Sequence, residues 1–278
     1  MFKKFIINQS VIKKLPIPSE TMPVFVNKEE IKETLINYFT NSSIDNGCLK
    51  ATAINNIIYP LEDCNVFISH SSSDKKIAEK LANWLWSNFH IKSFIDSLFW
   101  GCISDLQSEM DKKICNYNPV RNTWNYSDRN YSTAYVHMLL SNALTEMIRK
   151  TECFIFIDSN NSISIDLDGY EKDTSSPWIF HELYTANTII PNIPERLSQN
   201  KVSLECFNES INKSVGFDVT KELFGLQALY EKDLSNWSDW QTDKEKNPEH
   251  ALDYLYENKT HTIPKFDQIL YESTYQKK

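Results

Sequence analysis

The sequence VFISHSSSD, from Val66 to Asp74, joins a short apolar run directly to a polar loop. Ser73 or Asp74 can cap a following helix. Apolar residues then recur at helical spacing, at Ile77, Leu81, Trp84 and Leu85. A second short apolar run, Ile91–Ile95, comes next. This order predicts a strand–helix–strand unit, and apolar residues at successive strand positions predict a parallel sheet that is covered on both faces.

The rest of the chain continues the alternation of helices and strands. Two helices come first: one around Leu106, Met110 and Ile114, and a long one over residues 132–149 with Val136, Leu139, Leu140, Leu144 and Ile148 on one side. A buried strand at Cys153–Ile157 follows, and then a helix over Trp178–Ile189 that Ser176 and Pro177 open. The last predicted elements are a weaker strand at Val202–Phe207 and a helix at Val219–Tyr230. The sequence therefore predicts an α/β fold in which helices lie on both faces of a parallel sheet.

Some regions lie outside this regular pattern. Prolines interrupt the start of the chain, and Asn27 with the following glutamates is typical of a capped helix start. We interpret residues 1–60 as a small appendage with a helix near residues 28–40. Residues 61–278 then form the main domain, with its core motifs in 62–190 and a C-terminal extension over 191–278. A helical insertion occupies residues 111–150, and its part at 116–130 is polar.

Composition excludes several classes of function. A formal net charge of −8 provides no overall basic field for a phosphate backbone, so a nucleic-acid partner is not expected. The chain has five glycines, and no two of them are close neighbours. Both the G-x-G-x-x-G dinucleotide fingerprint and the P-loop require closely spaced glycines, so neither motif is present.

The cysteines and the apolar runs indicate the compartment. Six cysteines occur without a C-x-x-C pair, so neither a disulfide framework nor a zinc site is indicated, and no cluster of ligating residues has metal-binding spacing. The apolar run that begins at Phe5 ends at Asn8, and no run of about 18 apolar residues follows. We therefore expect a cytoplasmic protein that has no metal and no contact with a membrane.

Chemistry-bearing residues follow the predicted strands. In an open parallel sheet, ligands bind outside the carboxyl ends of the strands. Those ends carry Ser69 and His70, then Asp96, then Asp158. In the helix after the third strand, Trp178 and Glu182 are four residues apart, so they lie on the same helical face. A carboxylate beside an indole at such a crevice is suited to a cationic, sugar-like transition state.

Taken together, these motifs resemble a TIR domain. The sequence FISH from Phe67, followed by Ser73 and Asp74, resembles the opening of that domain. The sequence SFID, which ends at Asp96, and Gly101 beyond it resemble the second strand and its flexible loop, and SPWIFHEL, from Ser176 to Leu183, resembles the W-x-x-x-E helix of the bacterial NAD-cleaving members. The motifs occur in the family's order within residues 62–190. The resemblance implies a flavodoxin-like fold, cleavage of the nicotinamide N-glycosidic bond of NAD, and self-association in which a neighbouring subunit often completes the site.

The chemistry of that bond assigns roles to the residues. Nicotinamide leaves the cationic pyridinium as a neutral molecule, so the enzyme has to stabilise positive charge on the ribose rather than protonate a leaving group. Glu182 is the candidate catalytic carboxylate. The expected substrate contacts are an aromatic face for the pyridinium ring from Trp178, Trp100 or Phe67, phosphate contacts from Ser69 and Ser71, and further contacts from His70 and Asp96. NAD is thus the substrate, and no cofactor is expected.

The acceptor in the reaction and the biological role stay open at this stage. Attack by water yields ADP-ribose, whereas attack by the substrate itself yields a cyclic ADP-ribose-type nucleotide. By analogy, the resemblance suggests a component of prokaryotic anti-phage defence that depletes NAD or signals to a separate effector protein.

Three other classes of protein compete with this interpretation. A non-catalytic TIR scaffold would assemble with other TIR domains and would be expected to lack the helix glutamate. A phospho-receiver would need an acidic pair after the first strand, where this chain has Ser69 and His70. An enzyme similar to nucleoside deoxyribosyltransferases would share both the fold and a catalytic glutamate.

Overall fold

A computed structural model describes residues 1–23, 28–41, 50–58, 64–95, 100–120, 122–165, 172–197, 217–242 and 244–259. The chain forms two compact units. The sheet unit comprises Met1–Met22, Cys64–Phe94 and Thr151–Lys278, and the helical unit comprises Pro23–Asp63 and Ile95–Lys150. Among the described residues, no helix has the length and apolar character needed to cross a membrane.

A five-stranded parallel sheet is the centre of the sheet unit. Its strands, in chain order, are β1 (Lys3–Asn8), β2 (Val66–Ser69), β3 (Ser93–Ile95), β6 (Cys153–Asp158) and β10 (Gln227–Leu229). Their order across the sheet is β10-β1-β6-β2-β3. All four residues of β2 and the first five of β6 are buried, as in a parallel sheet that is covered on both faces. The prediction of an α/β fold with a parallel sheet flanked by helices is confirmed.

The first strand corrects the interpretation of residues 1–60 as an appendage. β1 pairs in parallel with β6, from Lys3 opposite Cys153 to Asn8 opposite Asp158, and it pairs on its other side with β10. Phe5 is buried in the sheet. β1 as a whole has six residues, which is a usual strand length, although its apolar run covers only Phe5–Ile7. The appendage interpretation is therefore wrong for the residues of β1.

Helices pack around this sheet and are joined by aromatic contacts. They are α1 (Gln9–Lys14), α4 (Lys75–Phe89), α7 (Pro177–Thr188), α8 (Thr220–Phe224), α9 (Glu231–Gln241) and α10 (Pro248–Asn258). Trp237 of α9 stacks on Phe89 of α4 with ring centroids 4.2 Å apart, and it meets Trp84 edge-on at 6.0 Å. All three rings are fully buried. Burial of such large aromatic side chains is a major contribution to this part of the core.

The region after α7 differs from the prediction of one helix over Val219–Tyr230. The chain forms the short α8, turns at Gly225 and then enters β10. A Cβ atom added at Gly225 would lie 2.3 Å from Oδ1 of Asn187, so a larger residue at this position would require the Asn187 side chain to shift. A small antiparallel sheet consists of β7 (Ser164–Ile165), β8 (Lys172–Thr174) and β9 (Phe217–Asp218). The strand predicted at Val202–Phe207 lies outside the described residues.

The helical unit combines two regions that the sequence interpretation had kept apart. Its elements are α2 (Lys28–Asn41), α3 (Ala51–Ile58), α5 (Trp100–Ile114), the hairpin of β4 (Tyr117–Asn118) and β5 (Thr123–Trp124), and α6 (Tyr126–Lys150). Both α2 and α6 contact α3 and α5. The helix predicted near residues 28–40 is confirmed as α2, and the apolar side predicted for the long helix is buried. That helix begins at Tyr126, inside the segment predicted to be a polar insertion.

Candidate active site

The carboxyl ends of β1, β2 and β6 lie side by side. Asn8 and Asp158 are register partners at the ends of their strands, and Nδ2 of Asn8 donates a hydrogen bond to Oδ2 of Asp158 at 3.1 Å. Ser69 ends β2 opposite Phe156, two residues before the end of β6. This edge is where a parallel sheet is expected to bind a ligand.

Ser69 and Glu182 form the central contact at this edge. Oγ of Ser69 donates a hydrogen bond to Oε2 of Glu182 at 2.6 Å, across a sequence separation of 113 positions. Both residues are 0% exposed. A short bond from a hydroxyl to a carboxylate is charge-assisted and stronger than a bond between neutral groups. The hydrogen bond therefore holds the Glu182 carboxyl group at the end of β2.

The local sequence of α7 explains why Glu182 points inward. Oγ of Ser176 caps the helix by accepting a hydrogen bond from the amide of Ile179 at 3.3 Å, and Pro177 occupies the first helical position. Ile179, Leu183 and Ala186 form the buried side of the helix, and Glu182 lies on that same side. Glu182 is thus a buried carboxylate, and it is not one of the solvated surface glutamates that are common on helices.

The other expected substrate contacts are distributed unevenly. His70 is buried, and its Nδ1 lies 3.2 Å from the carbonyl oxygen of Ile68, so the ring is held against its own strand. Ser71 is half-buried, and its carbonyl accepts a hydrogen bond from the amide of Asp74 at 2.8 Å. Trp178 is half-buried in the first turn of α7, one turn before Glu182.

The remaining expected residues are Phe67, Asp96 and Trp100, and only the first of them has a described side chain. Phe67 stacks between Phe94 and Phe154, with centroid separations of 5.2 and 5.7 Å, and it is fully buried. Its ring is part of the sheet core in this structure, which argues against the expected contact with the pyridinium. Asp96 lies outside the described residues. Trp100 begins α5 in the helical unit, and its side chain is not among those that the structure describes.

A second polar network at the same edge was not anticipated from the sequence. Asp74 is buried and accepts hydrogen bonds from Oγ of Ser159 and, at 2.8 Å, from Nδ2 of Asn161. Oγ of Ser162 donates to the carbonyl of Ile157 at 3.0 Å. Asp74 therefore anchors the loop after β6, whereas the sequence indicated it only as a candidate cap of α4. The polar run from Ser159 to Ser162 directly after a strand was the available signal.

Comparisons with models of protein families, with curated proteins and with solved structures found no match for this chain. Within the described part of the chain, no group of three or more His, Cys, Asp or Glu side chains is arranged to hold a metal ion. Function is therefore inferred from the geometry at the sheet edge and from the chemistry of its residues.

Proposed function

We propose that this protein is a TIR-type enzyme that cleaves the bond between nicotinamide and ribose in NAD, with Glu182 as its catalytic carboxylate. The contact between Ser69 and Glu182 carries the proposal. It joins the polar end of the VFIS strand to the glutamate of the W-x-x-x-E helix, at the edge where a parallel sheet binds ligands. Two motifs that are far apart in sequence thus supply one site.

The order of the strands supports a flavodoxin-like arrangement for this fold. Flavodoxin-like sheets have the order 2-1-3-4-5. Numbering β2, β3 and β6 as the first three strands gives 2-1-3 for one half of the sheet. In this proposal, the fourth place is taken by β1 from the beginning of the chain and the fifth place by β10.

The proposed reaction uses the charge of Glu182 directly. The bond between the ribose C1′ and the pyridinium nitrogen breaks, and its electron pair leaves with neutral nicotinamide. The ribose becomes an oxocarbenium-like cation, which a fixed carboxylate in a site without bulk water stabilises strongly. Ser69 positions that carboxylate, Trp178 offers an aromatic face to the pyridinium ring, and Ser71 with the amides before α4 receives a phosphate.

Complete burial of Glu182 adds a condition to this proposal. A carboxylate that touches ribose has to be reached by substrate, yet Glu182 and Ser69 have no exposed surface in this structure. The site must therefore open before NAD enters. Self-association of the TIR-type units would supply such an opening step, so we expect activity that rises more than linearly with protein concentration.

Burial also favours a second candidate function, that of a non-catalytic TIR scaffold. The hydrogen bond between Ser69 and Glu182 ties α7 to β2 whether or not a substrate binds. In a scaffold, this bond would be purely structural, and the protein would assemble with other TIR domains without consuming NAD.

Turnover of NAD by wild type and by Glu182→Gln tests the two candidates. The variant keeps the size and a hydrogen-bond acceptor but removes the charge, so we expect turnover to fall by roughly 100- to 1,000-fold with the fold intact. Glu257→Gln is the matched control, because Glu257 is an exposed glutamate on α10. Products are resolved by mass, which separates ADP-ribose from a cyclic nucleotide, and circular dichroism checks each variant.

The outcomes separate the candidates. Turnover that survives in Glu182→Gln would remove this residue from the mechanism. A wild-type protein that does not consume NAD at any concentration would support the scaffold. Cleavage of deoxynucleosides in place of NAD would indicate a deoxyribosyltransferase-like enzyme.

In a cell, the proposed enzyme would work in the cytoplasm, where it would meet NAD. The analogy with prokaryotic defence suggests two consequences of activity, depletion of NAD or a nucleotide signal to a separate effector protein. The product found by mass distinguishes them, because only a cyclic nucleotide would suit a signal.

A further inference from the structure

A polar pocket lies within the helical unit, between α5, the hairpin and α6. Its volume is about 530 Å³, which is within the usual range for small-molecule sites. The walls include one acidic side chain, one basic side chain and one indole, from Asp111, Arg129 and Trp124. All of these residues belong to the helical unit.

Asp111 forms the floor of the charged part of this pocket. Its carboxylate is buried and accepts hydrogen bonds from Nε2 of Gln107 at 2.7 Å and from Oγ of Ser132 at 2.6 Å. Both bonds reach Oδ1 of Asp111, and Sγ of Cys115 lies 3.7 Å from this oxygen. Burial and the Asp111 carboxylate raise the pKa of the Cys115 thiol, so this thiol remains a protonated donor. The oxygens of Asp111 are thus engaged by the protein itself.

Arg129 is held in place by this carboxylate. Its Nε donates to Oδ2 of Asp111 at 3.2 Å, while its side chain is 58% exposed. Among the described residues, none accepts a hydrogen bond from the terminal nitrogens of Arg129. A guanidinium that is fixed at Nε presents those terminal N–H groups in a fork that fits a carboxylate or a phosphate. The pocket therefore offers donors, which favours an anionic ligand.

Trp124 provides the second recognition element. It lines this pocket and also an adjoining cavity of about 400 Å³, where Tyr117 and Tyr126 are further aromatic walls. The rings of Tyr117 and Trp124 have centroids 4.9 Å apart. Both the amide and Nδ2 of Asn116 donate to Asp128, at 2.9 and 2.7 Å, and this ties the hairpin to α6. The indole is thus held on a braced hairpin, where it can stack against a flat ring.

We propose that the helical unit binds a small ligand in which a planar aromatic ring carries an anionic group. The ring lies against Trp124, and the anionic group binds the terminal nitrogens of Arg129. A neutral sugar would leave the fixed guanidinium unused, and a cation would be repelled by it. Nucleoside monophosphates and aromatic carboxylates share the required chemistry.

Calorimetric titration of the full chain tests the proposal with four probes. AMP and indole-3-acetate carry both a ring and an anion, adenosine carries only the ring, and ribose 5-phosphate carries only the anion. We expect AMP or indole-3-acetate, or both, to bind with a Kd below about 1 mM. Adenosine and ribose 5-phosphate, which each carry one feature only, should bind at least ten-fold more weakly. Binding of AMP identifies a nucleotide site, and binding of indole-3-acetate alone identifies a site for aromatic carboxylates.

Variants then assign the binding to this pocket. Arg129→Gln should weaken binding by roughly ten- to 100-fold, as expected for the loss of charged hydrogen bonds. Arg149→Gln is the matched control, because Arg149 is also an exposed arginine of α6 that is paired with a carboxylate, that of Glu146. If Arg129→Gln destabilises the protein, the double variant Asp111→Asn with Arg129→Gln leaves no unpaired buried charge and should still lose binding.

Several outcomes would overturn the proposal. The first is that the protein binds neither AMP nor indole-3-acetate. The second is that Arg129→Gln binds the ligand as tightly as wild type, and the third is that Arg149→Gln loses as much affinity as Arg129→Gln. Binding of AMP that survives Arg129→Gln but is lost in Ser69→Ala would belong to the sheet edge, which would also overturn it.

Discussion

Each unit buries a carboxylate, but the two carboxylates are held in different ways. In the sheet unit, Glu182 accepts a hydrogen bond from Ser69, which is 113 positions away along the chain. In the helical unit, the partners of Asp111 come from neighbouring turns of α5 and from the start of α6, the most distant being Ser132 at 21 positions. Sheet topology positions the first carboxylate, whereas local helix geometry positions the second.

The difference has a chemical meaning. Arg129 neutralises Asp111, so this carboxylate serves to support a guanidinium. The hydroxyl of Ser69 orients Glu182 without adding a positive charge. In the proposed reaction, this hydrogen bond would position the carboxylate toward the cationic ribose.

Loss of the Asp111 carboxylate should have the largest effect on stability. Asp111→Ala removes the acceptor for Gln107 and the buried Ser132, and we expect the free energy of unfolding to fall by about 2 to 4 kcal/mol. Most of this comes from the buried donors, since the exposed head of Arg129 remains solvated. Urea denaturation measures the change.

Asp105→Ala is the matched control on the same helix, because Asp105 forms a partly exposed ion pair with Lys32. Its effect should stay within about 1 kcal/mol. Equal losses in the two variants would contradict a special role for Asp111.

A double-mutant cycle on Ser69 and Glu182 should give a smaller effect. Ser69→Ala, Glu182→Gln and the double variant should reveal a coupling of about 1 kcal/mol in the free energy of unfolding. The glutamine can still accept the hydrogen bond from Ser69, so the cycle measures how much the charge of Glu182 strengthens that bond. NAD turnover should fall less in Ser69→Ala than in Glu182→Gln, because the charge remains. A coupling of zero would show that the charge of Glu182 does not act on Ser69. The cycle of Ser69→Ala with Glu257→Gln is the control, and its two free-energy changes should be additive.

Glu222 is a half-buried carboxylate, and its replacement should show the smallest effect, which depends on pH. Burial, with a smaller contribution from the charge of Asp218, raises the pKa of Glu222 above its ordinary value. Because the pKa is higher in the folded state, stability falls as the pH rises from the unfolded-state value through the folded-state value, and the loss persists above it.

Glu222→Gln removes that penalty. Its Tm should be slightly above that of wild type at pH 7 and should approach wild type below the pKa of the unfolded state. Thermal melts across this pH range measure the difference, with Glu257→Gln as the exposed control. A difference that does not change with pH would contradict the argument.

Sequence patterns predicted much of the sheet unit but missed two of its strands, β1 and β10. Residue runs such as Cys153–Ile157 are apolar enough to identify a buried strand by themselves. β1 was missed because an apolar run of three residues, Phe5–Ile7, does not identify a strand by itself. β10 was missed because the three residues Gln227–Leu229 carry little pattern, and their pairing with β1 decides their structure.

The grouping of the helical unit could not be predicted in the same way. Periodicity identifies α2 and α6 as amphipathic helices, but it does not state which helices they pack against. Contacts of α2 with α5, and of α3 with α6, depend on the complementarity of side chains over long sequence distances. Residues 28–60 were consequently separated from the insertion at 111–150.

The candidate site was predicted in part. The rule for parallel sheets and the motif resemblance together indicated that Ser69 and Glu182 would be near each other, but nothing in the sequence indicated that both would be fully buried. The sequence also contains a pattern that predicts the contacts of Asp111 with its neighbours on α5. Gln107, Asp111 and Cys115 recur at four-residue spacing and therefore share one side of α5.

The position of β1 also affects the order of events during synthesis. β1 leaves the ribosome before both of its neighbours, β6 and β10, which begin at Cys153 and Gln227. At usual rates of translation this delay lasts roughly 10 to 40 seconds. During that time an apolar strand has no native pairing partner, which is a risk for aggregation and a reason for a nascent chain to engage a chaperone. The sheet can close only after Leu229 has emerged, so β1 remains without its full pairing until more than 200 residues after it have been made.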